Sequence, residues 1–292
     1  MKLLGAVPNI SEGRNKELID EIVKLAEKYD NIWILSTNMD EYYNRTMLSI
    51  AGKPICVENF LFDLTEFCSN NIDLNKHKGE HPRIGAVDVI PLIPIMDVSE
   101  KEASEIADRL SKRISNDLNI PIYSYEKSTN KNIRKHISYI RKGGFESLKE
   151  KMKDENWKPD YGPDKPHPKS GATIVGVRDF LINLDFYINS KNRWFAEQIR
   201  RELIMEIPGS FFLDKKSDKK YVISVNASVN DVNLIDLYFN IRKIIEHFEC
   251  ELEKIEIPTP LTSSILVNAF GQITGSKIEN AKTIEEMIIK SL

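Results

Sequence analysis

The nine residues HKGEHPRIG at positions 77–85 constrain the fold of this chain more than any other segment. They bring two imidazoles, a carboxylate and a guanidinium together with two glycines and a proline. Such groups are costly to bury in an apolar core, and Pro82 disfavours helical backbone at His81. The apolar residues 87–90 follow directly and indicate a strand. The segment is therefore predicted to be a shaped loop that leads into a β-sheet, where catalytic groups commonly lie.

Three interpretations of this loop compete. His77 and His81 match the H-x-x-E-H pattern of zinc sites, but that pattern needs a helix to bring both histidines to one face. Gly79 and the following proline weaken a helix here, so no metal is predicted. A solvated, charged turn is the second interpretation. We favour the third, an acid/base site in which His81 carries a proton and Glu80, Arg83 or Asp88 tunes it.

Two further polar segments lie upstream, each beside a predicted strand. Asn9, Ser11 and Glu12 follow the apolar residues 3–7, and an amphipathic helical pattern comes after them. A polar loop is predicted at residues 36–44, between strands at 32–35 and 45–50. If these strands share one sheet edge, the polar groups converge with the 77–85 loop; the candidates from this second segment are Asp40, Asn44 and Arg45.

Composition narrows the class of protein. The chain has 292 residues, 41% of them hydrophobic, and a formal net charge of −3 without a strong basic block, which argues against nucleic acid as the main partner. No apolar run is long enough to cross a bilayer, and no signal peptide is recognised. Three scattered cysteines predict free thiols in a reducing cytoplasm.

The rest of the chain alternates between strand and helix patterns. Residues 99–118 open with a capping box and predict a helix, and His136, which lies among Arg134, Lys135 and Arg141, is placed on a solvated helix face. Residues 154–171 are rich in proline and glycine, for which we favour a lid over a linker. One strand is predicted from 173 to 188, across a domain boundary near Arg178. The strand and helix order after it suggests a small domain of ferredoxin type.

Five segments together resemble the glutamate formiminotransferase family. They are VPNISEGR at 7–14, NRT at 44–46, HKGEHPRIGAVDVIPLIP at 77–94, WKPDYGP at 157–163 and GATIVGVR at 171–178. The resemblance covers residues 2–189, and the third segment is the most specific. The chain departs from the family at Ser36 and Asn38, where acidic residues are common.

The resemblance implies an α+β fold of two α/β subdomains with facing mixed sheets, residues 1–178 and a divergent, ferredoxin-like 179–292. It implies transfer of a formimino group between 5-formiminotetrahydrofolate and L-glutamate, with tetrahydrofolate as cosubstrate, in a homodimer. His81 is the implied acid/base, and Asp40 or Glu80 orients it. The implied substrate- and folate-binding residues are Asn9, Ser11, Glu12, Asn44, Arg45, Arg83, Tyr161, Gly162, His167, Gly171 and Arg178. The alternative is a non-catalytic or substrate-shifted relative that binds folate or an acidic metabolite.

Overall fold

A computed structural model describes residues 1–207, 209–217, 219–228, 233–257, 261 and 263–274. The C-terminal residues 275–292 of the predicted second domain lie outside the described part. The chain divides into two compact units after Arg178. Within the described residues, no helix combines the length and the apolar character that a membrane crossing requires.

The first unit is built on a seven-stranded sheet. Its strands are β1 (Leu3–Ala6), β2 (Asn9–Ile10), β3 (Ile32–Asp40), β4 (Arg45–Gly52), β5 (Val87–Met96), β6 (Ile122–Ser124) and β7 (Thr173–Val177). Its α-helices are α1 (Lys16–Leu25), α2 (Pro54–Asn71), α3 (Glu100–Leu118), α4 (Ile137–Arg141) and α5 (Gly144–Lys151). The strand order is β1-β4-β2-β5-β7-β6, with β3 paired to β4. The sheet is mixed, because β5, β7 and β6 are parallel and the other pairs are antiparallel.

Strand direction explains where the polar segments meet. Ile10 at the end of β2 lies opposite Thr46 in β4 and Val87 in β5, both antiparallel to it. The C-terminal end of β2 therefore lies beside the N-terminal ends of β4 and β5. The loops that carry Ser11, Asn44 and the 77–85 segment consequently leave the sheet at the same edge.

The core of this unit forms because its helices present apolar faces at helical spacing. In α3 the side chain of Ser99 accepts a hydrogen bond from the backbone N of Glu102 at 3.1 Å and caps the helix as predicted. The buried face of α3 contains Ala103, Ile106, Leu110 and Ile114. These side chains join residues of α2 and of the sheet in one buried cluster, which makes the sheet a rigid base for the loops.

The second unit has one four-stranded sheet. Its elements are β8 (Leu181–Asn189), α6 (Arg193–Glu206), β9 (Ser210–Ser217), β10 (Lys220–Ser228), α7 (Leu234–His247), β11 (Glu251–Glu256) and α8 (Ser263–Thr274). The strand order is β11-β8-β10-β9, and every pair is antiparallel. The prediction of a mixed sheet is therefore wrong for this unit. Alternate residues of β8 are buried, as in a strand with one covered face.

Two differences from the predicted boundaries affect the layout of the sheets. The predicted strand 173–188 is two strands in different sheets, and residues 178–180 belong to neither. The predicted loop 36–44 is strand as far as Asp40, because β3 continues to pair with β4 up to the Asp40–Arg45 pair. Polar residues thus extend a hairpin strand, and only residues 41–44 form the turn.

Candidate active site

Hydrogen bonds from Ser11 join the first polar loop to the 77–85 segment. Its backbone N donates to the carbonyl of Ala86 at 2.8 Å, and its Oγ donates to the carbonyl of Gly85 at 2.6 Å. Ser11 is buried. Its role is therefore to fix two loops to each other, since its hydroxyl is already used.

Asn44 connects all three polar segments. Its Oδ1 accepts from the backbone N of Gly13 at 2.9 Å, and its Nδ2 donates to the carbonyl of Lys78 at 3.1 Å. Its φ of 48° is in the left-handed region, which asparagine tolerates better than most residues. A Cβ on Gly79 would lie 2.5 Å from the carbonyl O of Tyr43, so only glycine allows the loop to approach this closely. The predicted convergence of the three segments is confirmed.

Arg83 and His77 are hydrogen-bonded to each other within the 77–85 loop. The Nε of Arg83 donates to Nδ1 of His77 at 2.8 Å, and Nε2 of His77 contacts the carbonyl of Asn44 at 2.9 Å. Nε2 therefore carries the proton, and the ring is neutral; burial lowers the pKa of His77. Arg83 also forms an ion pair with Glu146 at 2.9 Å. Most of its donors are thus occupied, which favours a positioning role over the predicted anion binding.

His81 lies outside any helix, with Nε2 2.8 Å from Nη1 of Arg45. Because a guanidinium only donates, Nε2 must accept, and the single proton of the neutral ring sits on Nδ1. Burial, followed by the charges of Arg45 and Arg141, lowers the pKa of His81 to about 3. The ring of Tyr43 packs edge-on at 6.2 Å between centroids. At neutral pH this imidazole is uncharged and its Nε2 lone pair is covered.

Arg45 brings a partly buried charge to the site. Its Nε is buried, and no acceptor for this atom is found among the described residues. Burial, followed by the charge of Arg141, lowers its pKa, while Asp40 attracts it. The Oδ1 of Asp40 accepts from the backbone N of Tyr43 at 2.9 Å, so this predicted catalytic carboxylate supports the hairpin turn beside Arg45. Arg45 therefore keeps one N–H donor that no described residue satisfies.

Asp88 and Arg141 form an ion pair beneath the loop. Asp88 is 2% exposed; its Oδ1 accepts from the backbone N of Ile84 at 2.7 Å. Its Oδ2 lies 2.7 Å from Nε and 2.6 Å from Nη2 of Arg141. His136, predicted to lie among Arg134, Lys135 and Arg141 on a solvated helix face, is exposed, but Arg141 is paired with a buried acid and is not solvated in the same way. An acid inside the apolar run 87–90 was the available signal, because a buried carboxylate needs a partner.

Three predicted residues do not contact the imidazole. The Oε1 of Glu12 accepts from the backbone N atoms of Arg14 and Asn15 at 2.7 and 2.9 Å and so supports the start of α1. Asn9 donates to the carbonyl of Val7 at 3.2 Å. Glu80 is exposed, and within the described part of the chain no hydrogen bond or ion pair involves its side chain. The roles assigned to them stay predictions.

Residues 161–171, which contain four of the predicted folate-binding residues, pack against helix α3 of the first unit. The hydroxyl of Tyr161 donates to Asp108 of α3 at 2.8 Å, and a Cβ on Gly162 would lie 3.0 Å from Cβ of Ser115 in the same helix. The backbones of His167 and Gly171 exchange two hydrogen bonds of 2.8 and 3.0 Å.

The end of this segment lies against the active-site loop. Gly171 has a φ of 70°, and a Cβ there would lie 2.0 Å from the carbonyl O of Ile84. Arg178 follows β7; its backbone N donates to Leu92 at 3.0 Å, and its side chain hydrogen-bonds to Tyr125. Gly171, one of the predicted folate residues, thus contacts the loop that carries His81.

Comparison with known proteins identifies the family. The family model of the formiminotransferase domain, N-terminal subdomain, matches residues 3–178. The chain belongs to the formiminotransferase family. The glutamate formimidoyltransferase of Streptococcus pyogenes is 38% identical over 200 residues, 68% of this chain and 67% of that protein. That of Thermoplasma acidophilum is 32% identical over 261 residues, 88% of this chain and 83% of that protein. The resemblance seen in the sequence is thereby confirmed.

Some relatives are larger proteins. The formimidoyltransferase-cyclodeaminase of Dictyostelium discoideum is 40% identical over 181 residues, which are 62% of this chain but 34% of that protein. The chain thus matches about a third of the length of this relative, and no part of it is matched to the remainder.

Proposed function

We propose that this protein transfers a formimino group between 5-formiminotetrahydrofolate and L-glutamate. Membership of the formiminotransferase family and two relatives named glutamate formimidoyltransferase support the reaction. The observation that carries it is a neutral His81 held at 2.8 Å by Arg45 in a loop fixed at several points. Glutamate and the tail of tetrahydrofolate both carry carboxylates, which a guanidinium such as that of the partly exposed Arg45 can bind.

The chemistry needs a proton carrier. A nitrogen nucleophile attacks the formimino carbon, a new C–N bond forms, and the attacking nitrogen loses a proton. The leaving nitrogen must gain a proton before its own C–N bond breaks. His81 is assigned both transfers, because a neutral imidazole accepts a proton and its conjugate acid returns it. Arg45 stabilises the ligand's charge, and Asp40 steadies Arg45 through its own charge.

Other parts of the proposal rest on the resemblance. Tyr161, Gly162, His167, Gly171 and Arg178 are proposed to form the folate side of the site, and residues 179–292 the second formiminotransferase subdomain. A ferredoxin-like fold is proposed for that subdomain, supported by its β-α-β-β-α-β order from β8 to β11. A homodimer in the cytoplasm is also proposed.

The test is a transfer assay with the purified full chain. Incubation with 5-formiminotetrahydrofolate and glutamate should remove the formimino adduct, and His81→Ala should lower the rate by about 10²–10⁴-fold, the usual contribution of acid/base catalysis. His136→Ala is the control, since that imidazole is exposed and makes no capping hydrogen bond, although His136 is the N-cap residue of α4. A rate for His81→Ala close to that of the control would remove His81 from the mechanism. Folate binding without turnover in the unaltered protein would instead support a non-catalytic relative.

A further inference from the structure

We propose that Arg45 and Arg141 form one binding site for a substrate carboxylate, and that a carboxylate bound there releases Nε2 of His81 from Arg45. This inference rests on the proposed function only for the identity of the ligand, which would be the amino-acid substrate. The site itself is defined by contacts within the first unit.

Asp88 orients Arg141, and Arg141 still has N–H donors that make no hydrogen bond within the described residues. Both of its contacts, from Nε and Nη2, go to the same oxygen, Oδ2, at 2.7 and 2.6 Å. The other oxygen of Asp88 is taken by the backbone N of Ile84 at 2.7 Å. The remaining nitrogen of Arg141, Nη1, has no acceptor among the described residues. Asp88 fixes the position of the guanidinium. The Arg141 side chain is 15% exposed, so a ligand can still reach it.

Arg45 supplies the second half of the site. Its Nη1 donates to His81, and its Nε is buried without an acceptor in the described part of the chain, which is unfavourable for a charged donor. Ile10 of β2 lies opposite Thr46, the residue after Arg45, and opposite Val87, the residue before Asp88, so Arg45 and the Asp88–Arg141 pair lie at the same sheet edge. The positive charge of Arg141 accordingly lowers the pKa of Arg45, second to burial. A carboxylate would give both groups an acceptor and would compensate the excess positive charge.

The same event would make His81 reactive. In the structure, the Nε2 lone pair is used by the hydrogen bond from Arg45. A carboxylate that accepts from Arg45 competes for that donor, and its negative charge favours protonation of the ring. Nε2 could then take the proton from the attacking nitrogen and pass it to the leaving nitrogen. The imidazole would thus be blocked until the substrate arrives.

Glutarate tests the site without allowing a reaction, because it is a dicarboxylate that lacks the amino group. Calorimetry should show that the full chain binds glutarate, and that Arg141→Met weakens binding by at least about tenfold, the usual loss for a charged hydrogen bond. In ¹⁵N NMR spectra, glutarate should shift the His81 Nε2 signal of the unaltered protein but not that of Arg141→Met. The matched control is Arg109→Met, which removes an arginine paired at 2.7 Å with the nearly buried Glu58 in the helical layer. Its glutarate affinity should equal that of the unaltered protein.

A second variant guards against misfolding. Arg141→Met leaves Asp88 buried without a counter-ion, which is strongly destabilising. The double variant Asp88→Asn/Arg141→Met removes both charges and keeps an oxygen for the backbone N of Ile84. The inference is overturned if the unaltered protein does not bind glutarate, or if the folded double variant binds it as tightly as the unaltered protein. Glutarate binding that depends on Arg141, without any formimino transfer, would preserve the carboxylate site and reject only the proposed function.

Discussion

At the scale of single residues, the contact with Arg45 determines which nitrogen of the His81 imidazole is protonated. A guanidinium 2.8 Å from Nε2 excludes a proton on that atom, and burial adds to the cost of a charged ring. The pKa of His81 in the folded protein is about 3, against an ordinary value of 6.5. His77, its neighbour in the loop, has a pKa lowered in the same direction, chiefly by burial.

This difference predicts how stability depends on pH. Between the two pKa values of His81, the unfolded chain binds a proton that the folded protein does not. Acid therefore favours unfolding, and the free energy of unfolding should fall as the pH drops from about 6.5 towards 3. His81→Gln, which has no titratable group but keeps an acceptor for Arg45, should lose less stability than the unaltered protein between about pH 7.5 and about pH 5 in urea unfolding. Equal losses in the two proteins would show that His81 titrates normally.

At the scale of elements, the turn between β3 and β4 organises the site. Asn44 holds the loops on both sides through its side chain, and its carbonyl accepts from Nε2 of His77 at 2.9 Å. Arg45 begins β4 immediately after it. The position of the guanidinium against His81 therefore depends on the geometry of a four-residue turn.

Asn44→Gly tests this dependence. Glycine accepts the φ of 48° but loses both side-chain hydrogen bonds, so we expect a destabilisation of about 1–3 kcal/mol. Turnover should fall further than stability explains, because the 77–85 loop loses its attachment at Lys78. The control is Glu41→Gly in the same turn, whose side chain is exposed. Thermal unfolding and the transfer assay would measure both effects; equal rates for the two glycine variants would contradict the role of Asn44.

The sequence predicted the loops of this site better than the helix beneath them. The sequence placed Ser11, Asn44 and His81 in loops that each adjoin a strand pattern, and predicted that these loops meet if the strands share one sheet edge; the pairing of β2 with β4 and β5 supplies that edge. The contact of Arg141 with Asp88 joins residues 53 positions apart and depends on how α4 packs. A basic residue on a short helix has the same pattern whether it is solvated or paired. In the sequence, the position of Asp88 within the apolar strand β5 was the one indication that a cationic partner is needed.

At the scale of the whole molecule, each unit has its own core. Two buried clusters are formed entirely by residues up to 177, and the third entirely by residues from 182 onwards. The sheet type of the second unit could not be predicted from strand and helix order alone, since direction depends on which strands pair. Antiparallel pairing of β8 with both β10 and β11 decides it. Every contact described around His81 also lies within the first unit.

A fragment of residues 1–178 should therefore fold alone. A domain of this size buries about 70% of the surface that its unfolded chain exposes, enough for a stable core. We expect cooperative urea unfolding by circular dichroism and a ¹⁵N signal of His81 Nε2 that matches the full chain, because Arg45 comes with the fragment. The complementary fragment from residue 179 serves as the control for spectral content. Gradual, non-cooperative unfolding of 1–178 would show that its core needs the second unit; a folded fragment with an altered His81 signal would show that only the site needs it.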